Sequence, residues 1–262
     1  MISVFTELTD DMRRLADRPW RAPASREPRA GCERPPLDYA RLLGDAWNRL
    51  PADVRERFST HDALWTGAMR LAATRRGRWV TRLLRLVGAP LPPASAEPVP
   101  TTVRVEPDPA TGGSRWTRRY EFAKGTVEAR SVKCVDAAGG LIERLGMGLR
   151  MELTLRADRD SLHFVSTGYY LEVPIAWPRS AGGALRLRLP SWWLPGQTHV
   201  VHRDLGRGRF RFTMTIRHEL LGEILRHDGI FRRKEVDHVR DAAAARHASR
   251  ARGARQPLAG RA

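Results

Sequence analysis

The side chains able to carry chemistry in this chain are few and scattered. His199 and His202 stand three apart, which at strand spacing puts their rings on opposite faces and rules out joint metal binding. His202 and Asp204 share a face, so a carboxylate is placed to orient an imidazole. At this position, however, the pair reads as a solvated strand end. His218-Glu219 lacks the second histidine of a zinc-binding helix and reads as a strand terminus, and His227-Asp228-Gly229 reads as a bend within the last strand. Cys134 lies in a segment of period two and is expected to fill core rather than attack substrate. Gly206 and Gly208 are followed by Arg211 instead of a third glycine, so they form a hairpin turn and not a dinucleotide loop. There is no Gly-Lys-Ser or Gly-Lys-Thr phosphate loop and no G-x-S-x-G elbow. The expectation is no catalytic residue, no metal and no cofactor.

The aromatic residues say more. Trp116 and Tyr120 lie on one strand face, and Phe210 and Phe212 on another. Such rows line either a packed core or a ligand cavity. Trp192 and Trp193 sit in a loop stiffened by Pro190 and Pro195, where adjacent indoles in an extended chain point to opposite sides. These six aromatics are the candidate ligand-binding residues, alongside the bland reading that they only fill or cover the sheet. A helix from Arg75 carries Arg78, Arg82 and Arg85 opposite an apolar stripe of Val80, Leu83, Leu84 and Val87. The arginines are candidates for contact with a membrane surface or other anions, and the stripe equally suits packing on a sheet.

Composition bounds these readings. Of 262 residues, 42% are hydrophobic, enough for a core and too many for a disordered chain. The net charge is +17, yet only Lys124, Lys133 and Lys234 are lysines among 46 basic residues. Such arginine bias accompanies a GC-rich coding sequence whatever the function, so the charge predicts weak attraction to anions and no specific nucleic acid. The longest stretch free of Asp, Glu, Lys and Arg, Leu189 to His202, contains two prolines and is too short for a membrane helix, leaving membrane contact peripheral at most. The start, MISVFTELTDD, lacks a basic segment and does not read as a secretory signal. Two distant cysteines, Cys32 and Cys134, fit a reducing compartment, and a cytoplasmic location is expected.

The elements that must position these residues follow from periodicity. A short amphipathic helix and a Pro-rich linker occupy residues 1–36. Asp38 is an expected N-cap for one helix running to Leu50, stopped by Pro51, and a shorter helix passes through Val54 and Phe58. Residues 64–74 alternate as a strand before the arginine-bearing helix at 75–87. From Thr101 onward, turn signals at Gly112-Gly113, Gly139-Gly140, Asp158-Arg159-Asp160, Gly182-Gly183 and Gly206-Arg207-Gly208 separate alternating segments. Clean alternation implies antiparallel hairpins with one buried face, and some eight or nine strands are expected. Residues 232–262 carry nine basic residues against three acids and few large apolar ones, the mark of a basic tail, disordered or a frayed helix.

The motifs LLGDAWNRLP (42–51), RRGRWVTRLLRLVGAP (75–90), TTVRVE (101–106), RWTRRYEF (115–122), LIERLG (141–146), LPSWWLP (189–195) and RFRFTMTIRHELLGEILRHDGIF (209–231) resemble, in this order, the bacterial domain of unknown function family 4166. The resemblance covers about 37–231 and implies one α+β domain there. It departs at Tyr169 to Gly183, a longer stretch, and at His218-Glu219, where a proline-containing turn is expected. It also implies a dehydrogenase-like partner, because members stand alone or follow a dehydrogenase-like region, and it transfers no site residue. The sequence therefore points to an α+β domain: a large curved antiparallel β-sheet, open or barrel-like, packed with two or three N-terminal helices. The leading functional expectation is noncatalytic binding of an apolar or amphiphilic small molecule within that sheet. The alternatives are an enzyme or accessory module acting with an oxidoreductase partner, and a peripheral membrane or scaffold module.

Overall fold

A computed structural model describes residues 36–59, 62–86, 91–174, 184–190 and 195–234, the side chains of 83, 85, 86 and 174 excepted. The first helical stretch is not one helix. Asp38 caps it as expected, its Oδ1 accepting from the N–H groups of Ala40 and Arg41 at 2.9 and 3.3 Å. Gly44 then turns the chain at φ +55°, a conformation glycine adopts without steric cost, and splits the stretch into α1 (Tyr39–Leu43) and α2 (Asp45–Asn48). Periodicity alone does not register such a break. Helix α3 (Ala52–Ser59) follows Pro51. Strand β1 (Ala63–Ala73) and helix α4 (Arg75–Leu86) stand where the change of period places them.

Among the described residues the sheet has eleven strands rather than eight or nine: β2 (Ser95–Asp108), β3 (Gly113–Phe122), β4 (Gly125–Val135), β5 (Leu141–Gly146), β6 (Leu149–Ala157), β7 (Ser161–Pro174), β8 (Ala184–Arg188), β9 (Gln197–Gly206), β10 (Arg209–His218) and β11 (Gly222–Arg233). All pairings are antiparallel, each strand beside its successor through β8. β11 closes on β1, with Met69 opposite Gly229. β6 pairs along β7, whose first half also pairs with β9, so ten strands form a closed barrel. β8 lies outside the ring, paired to the second half of β7. The chain is thus mostly β, with helices at its N-terminal side, and closure removes the exposed edges that an open sheet would present. The alternation in β8 buries neither face: all five of its residues are exposed. His227-Asp228-Gly229 continues β11 without a break in pairing.

In an antiparallel ring, alternate connections share an end. Helices α1–α3 precede β1 and cover the end bearing the β2–β3 and β9–β10 turns. There Leu37 N–H donates to Gly112 O at 2.9 Å, and Gly208 N–H donates to Asp53 Oδ2 at 3.3 Å. Helix α4 follows β1 at the opposite end. It sits so close to β11 that a Cβ on Gly77 would lie 2.0 Å from Ile224 O. Its partly buried Val80 packs against Ile216, Ile224 and Leu225, and Leu84 packs against the main core. Among the described residues, no helix is long and apolar enough to cross a membrane.

Candidate functional site

Beneath α1–α3 the barrel interior is a cluster of rings with charges embedded in it. Tyr39 from α1 and Phe58 from α3 enter from above, their ring centroids 5.2 Å apart. Phe58 meets His202 of β9 at 5.0 Å, Phe164 of β7 at 5.5 Å and Trp116 of β3 at 6.1 Å. His202 in turn touches Phe210 at 5.6 Å and Phe212 at 5.2 Å, both on β10. The alternation of each strand puts these side chains on the inner face, and the closed ring brings them together.

Among the described residues, three cations and one carboxylate share this space. Lys133 Nζ of β4 lies 3.1 Å from Glu143 Oε1 of β5, its cross-strand partner, and 4.9 Å from the centre of Trp116. Arg118 of β3 lies 3.8 Å from the same oxygen and donates to Ser131 Oγ at 3.2 Å. Arg57 of α3, 3% exposed, lays its guanidinium 3.9 Å from the centre of Phe210 and 5.5 Å from that of Trp65 on β1. Burial by itself would raise the Glu143 carboxyl, but Lys133, Arg118 and hydrogen bonds hold it below the usual carboxylate range, so it is ionised. Burial lowers Lys133, against the pull of Glu143. Burial, reinforced by Arg57, Lys133 and Arg118, keeps His202 well below the usual imidazole value, and burial with Arg118 takes His227 down to about 3. Both imidazoles are therefore neutral. Burial lowers Arg57 to about 10, against Asp204, Asp53 and Glu56 nearby.

Among the described residues, several polar atoms in this region have no hydrogen-bond partner: Tyr39 Oη, Arg57 Nε and Nη1, Trp65 Nε1, Trp116 Nε1 and His202 Nδ1. Buried polar groups in native proteins are nearly always paired, so a concentration of unpaired ones is informative. A cleft of about 270 Å³, lined by Pro36, Leu37, Asp38, Tyr39, Trp47 and Phe58 among others, opens against this end. Its inner wall is thus formed by the two rings that plug the barrel. A smaller cleft of about 70 Å³ lies between α1 and Val135.

The structure brings together three of the aromatics singled out by spacing, Trp116, Phe210 and Phe212, through contacts with His202. Tyr120 is also buried on the inner face, 2% exposed, but lies four residues further along β3, opposite Thr101. Trp192 and Trp193 lie outside the described residues. Arg78 and Arg82 are exposed on α4 at the other end, Arg82 5.2 Å over the exposed Trp79, and the side chain of Arg85 is outside the described set. His202 is not a solvated strand end: it is 4% exposed in the ring cluster, and its Nδ1 makes no bond to Asp204. Arg150, which alternates with the apolar Leu149 and Met151 of β6, is itself buried against Glu172, 2.9 Å away. Sequence reasoning missed Arg57, Lys133 and Glu143. One signal pointed to Lys133, a rare lysine in an arginine-rich chain, because a compact ammonium is what fits between Trp116 and Glu143. On the outer face, His163 Nδ1 lies 3.0 Å from His199 Nε2, and its Nε2 lies 2.9 Å from Asp158. Among the described residues, no group of three or more His, Cys, Asp or Glu side chains is placed to hold a metal.

A family model described as a domain of unknown function, DUF4166, matches residues 50–231. No curated protein and no solved structure matches the chain. The match takes in Arg57, Phe58 and nearly all of the barrel, and leaves Tyr39 of α1 outside it. It spans more than half of the sequence, and the chain therefore belongs to the DUF4166 family.

Proposed function

We propose that the barrel binds an apolar or amphiphilic small molecule without transforming it, at the end covered by α1–α3. The observation that carries this reading is the set of polar atoms unpartnered among the described residues (Tyr39 Oη, Trp65 Nε1, Trp116 Nε1 and His202 Nδ1) within an interior of aromatic rings and a few embedded charges. An unsatisfied buried polar group costs about 1–3 kcal/mol. A ligand offering a few hydrogen-bonding atoms on an apolar frame relieves several at once, which is how small-molecule sites are generally built. The cleft against Tyr39 and Phe58 supports an entry route in which these two rings swing aside. Native mass spectrometry of the purified protein tests the reading. A retained small molecule is expected, and Phe58→Ala should change its occupancy. A protein that carries no such mass, and whose Phe58→Ala variant differs from it only in melting temperature, would count against binding.

Contact with an anionic surface is a second reading, favoured by one feature. The outer side of α4 presents Arg75, Arg76, Arg78 and Arg82 around Trp79, an indole that is 62% exposed. An amphipathic ring among cations suits a lipid headgroup layer. Vesicles with and without anionic lipid, at low and high salt, test it with Trp79→Ala.

A further inference from the structure

The charge balance inside the barrel bears on what the ligand's polar end must be, an inference that rests on the reading of the barrel as a binding site. Glu143 is shared by Lys133 and Arg118, which leaves Arg57 as the third cation with no acid of its own. Among the described residues, no carboxylate forms an ion pair with Arg57, and its Nε and Nη1 donate to nothing. The nearest acids are engaged elsewhere. Asp53 accepts from Gly208 N–H, Asp204 accepts from Gly206 N–H at 3.3 Å, and Glu56 pairs with Arg233 at 2.6 Å. Phe210 and Trp65 hold the guanidinium between them, giving partial cation–π compensation and fixing its plane. A buried charge is ordinarily paired, because its desolvation is otherwise uncompensated.

The remaining open positions around it are mostly donors: two N–H groups on Arg57 and the Trp65 indole N–H. Nε–H and the Nη1 donors lie on different edges of the guanidinium, so a carboxylate takes a charge-assisted hydrogen bond from one of them. His202, neutral and stacked on Phe210, adds no competing charge. We propose that the ligand is a carboxylate-headed amphiphile whose headgroup pairs with Arg57, its apolar part lying among Phe58, Trp116, Phe164 and Phe210. Helix α3 supplies both parts of such a site, the counter-ion from Arg57 and the plug from the adjacent Phe58.

The test uses the full-length protein with decanoate and decanol, which share an alkyl chain and differ in headgroup charge, followed by isothermal titration calorimetry and by melting temperature. Wild type is expected to bind decanoate at least about tenfold tighter than decanol, the scale of one charge-assisted contact. Arg57→Met should lose that preference while keeping its affinity for decanol, and Arg57→Lys should keep part of it. Without ligand, Arg57→Met should raise the melting temperature by a few degrees, about 2–4 °C, because an unpaired buried charge is replaced by an apolar side chain. A merely structural arginine would give the opposite shift. Equal binding of the two probes by wild type, or a preference that survives in Arg57→Met, would overturn the carboxylate assignment and leave the barrel-binding reading standing. Binding of neither probe would remove both.

Discussion

Lys133, Glu143 and Arg118 form a buried network in which one carboxylate serves two cations. Removing one member of such a set is worse than never having had it, because the survivors stay buried without a counter-charge. Glu143→Gln should therefore destabilise by about 3–5 kcal/mol, and Lys133→Met by distinctly less, since Arg118 still faces the acid. Urea unfolding of both variants measures the order, and equal losses would refute the shared-acid arrangement. The buried imidazoles set the acid response. His202 and His227 stay neutral in the fold, while their unfolded counterparts protonate near pH 6.5. Above that pH neither state binds the proton and the two groups contribute nothing. As pH falls from about 6.5 toward the folded value, about 3 for His227, only the unfolded chain gains protons and stability falls. Each imidazole contributes a slope of about 1.4 kcal/mol per pH unit. His227→Leu should make the decline between pH 6 and 5 shallower by roughly that amount, and an unchanged slope would show that His227 is not the titrating group.

At the scale of elements, the alternating pattern of β6 gives a matched pair. Leu153 is 8% exposed on the inner face and belongs to the main core, whereas Glu152 points outward, 3.5 Å from the exposed Arg188. Leu153→Ala should cost about 2–5 kcal/mol through lost burial and the cavity left behind. Glu152→Ala should stay within about 0.5 kcal/mol, as exposed ion pairs contribute little. Comparable losses would mean that the two faces of β6 are exchanged. Helix α4 shows the same division of labour. Val80 and Leu84 pack on the barrel, and Arg78 and Arg82 stay in water. The rest of its apolar stripe, the Leu83 side chain and Val87, lies outside the described residues.

For the molecule as a whole, the seam between β6 and β7 decides the architecture. With that pairing the ring has no edge, and Leu155 lies opposite Phe164 in the middle of a continuous ladder. Hydrogen exchange should accordingly protect β6 and β7 amides as strongly as those of β2 and β3. β8, paired on one side only and exposed at every residue, should exchange much faster. Fast exchange along β6 would indicate an open sheet. Closure also creates an inside, and with it the ring cluster and its embedded charges.

The sequence by itself determined what depends on neighbours within a few residues. The Asp38 cap, the strand read at 64–74 and found at Ala63–Ala73, the arginine-bearing helix and the shared faces of β3 and β10 were all legible because local period and turn chemistry fix them. The break at Gly44 was not, because a single glycine leaves the apolar spacing on either side unchanged. What only tertiary structure decided depends on distant partners. In β4, Ser131, Lys133 and Val135 alternate with Arg130, Val132 and Cys134, so either face passes for the buried one until β3 and β5 fix the register. Glu143 becomes the acid of Lys133 through that register alone. Arg57 reads as one surface arginine among many, and its burial with no acidic partner among the described residues follows only from α3 folding over a closed ring.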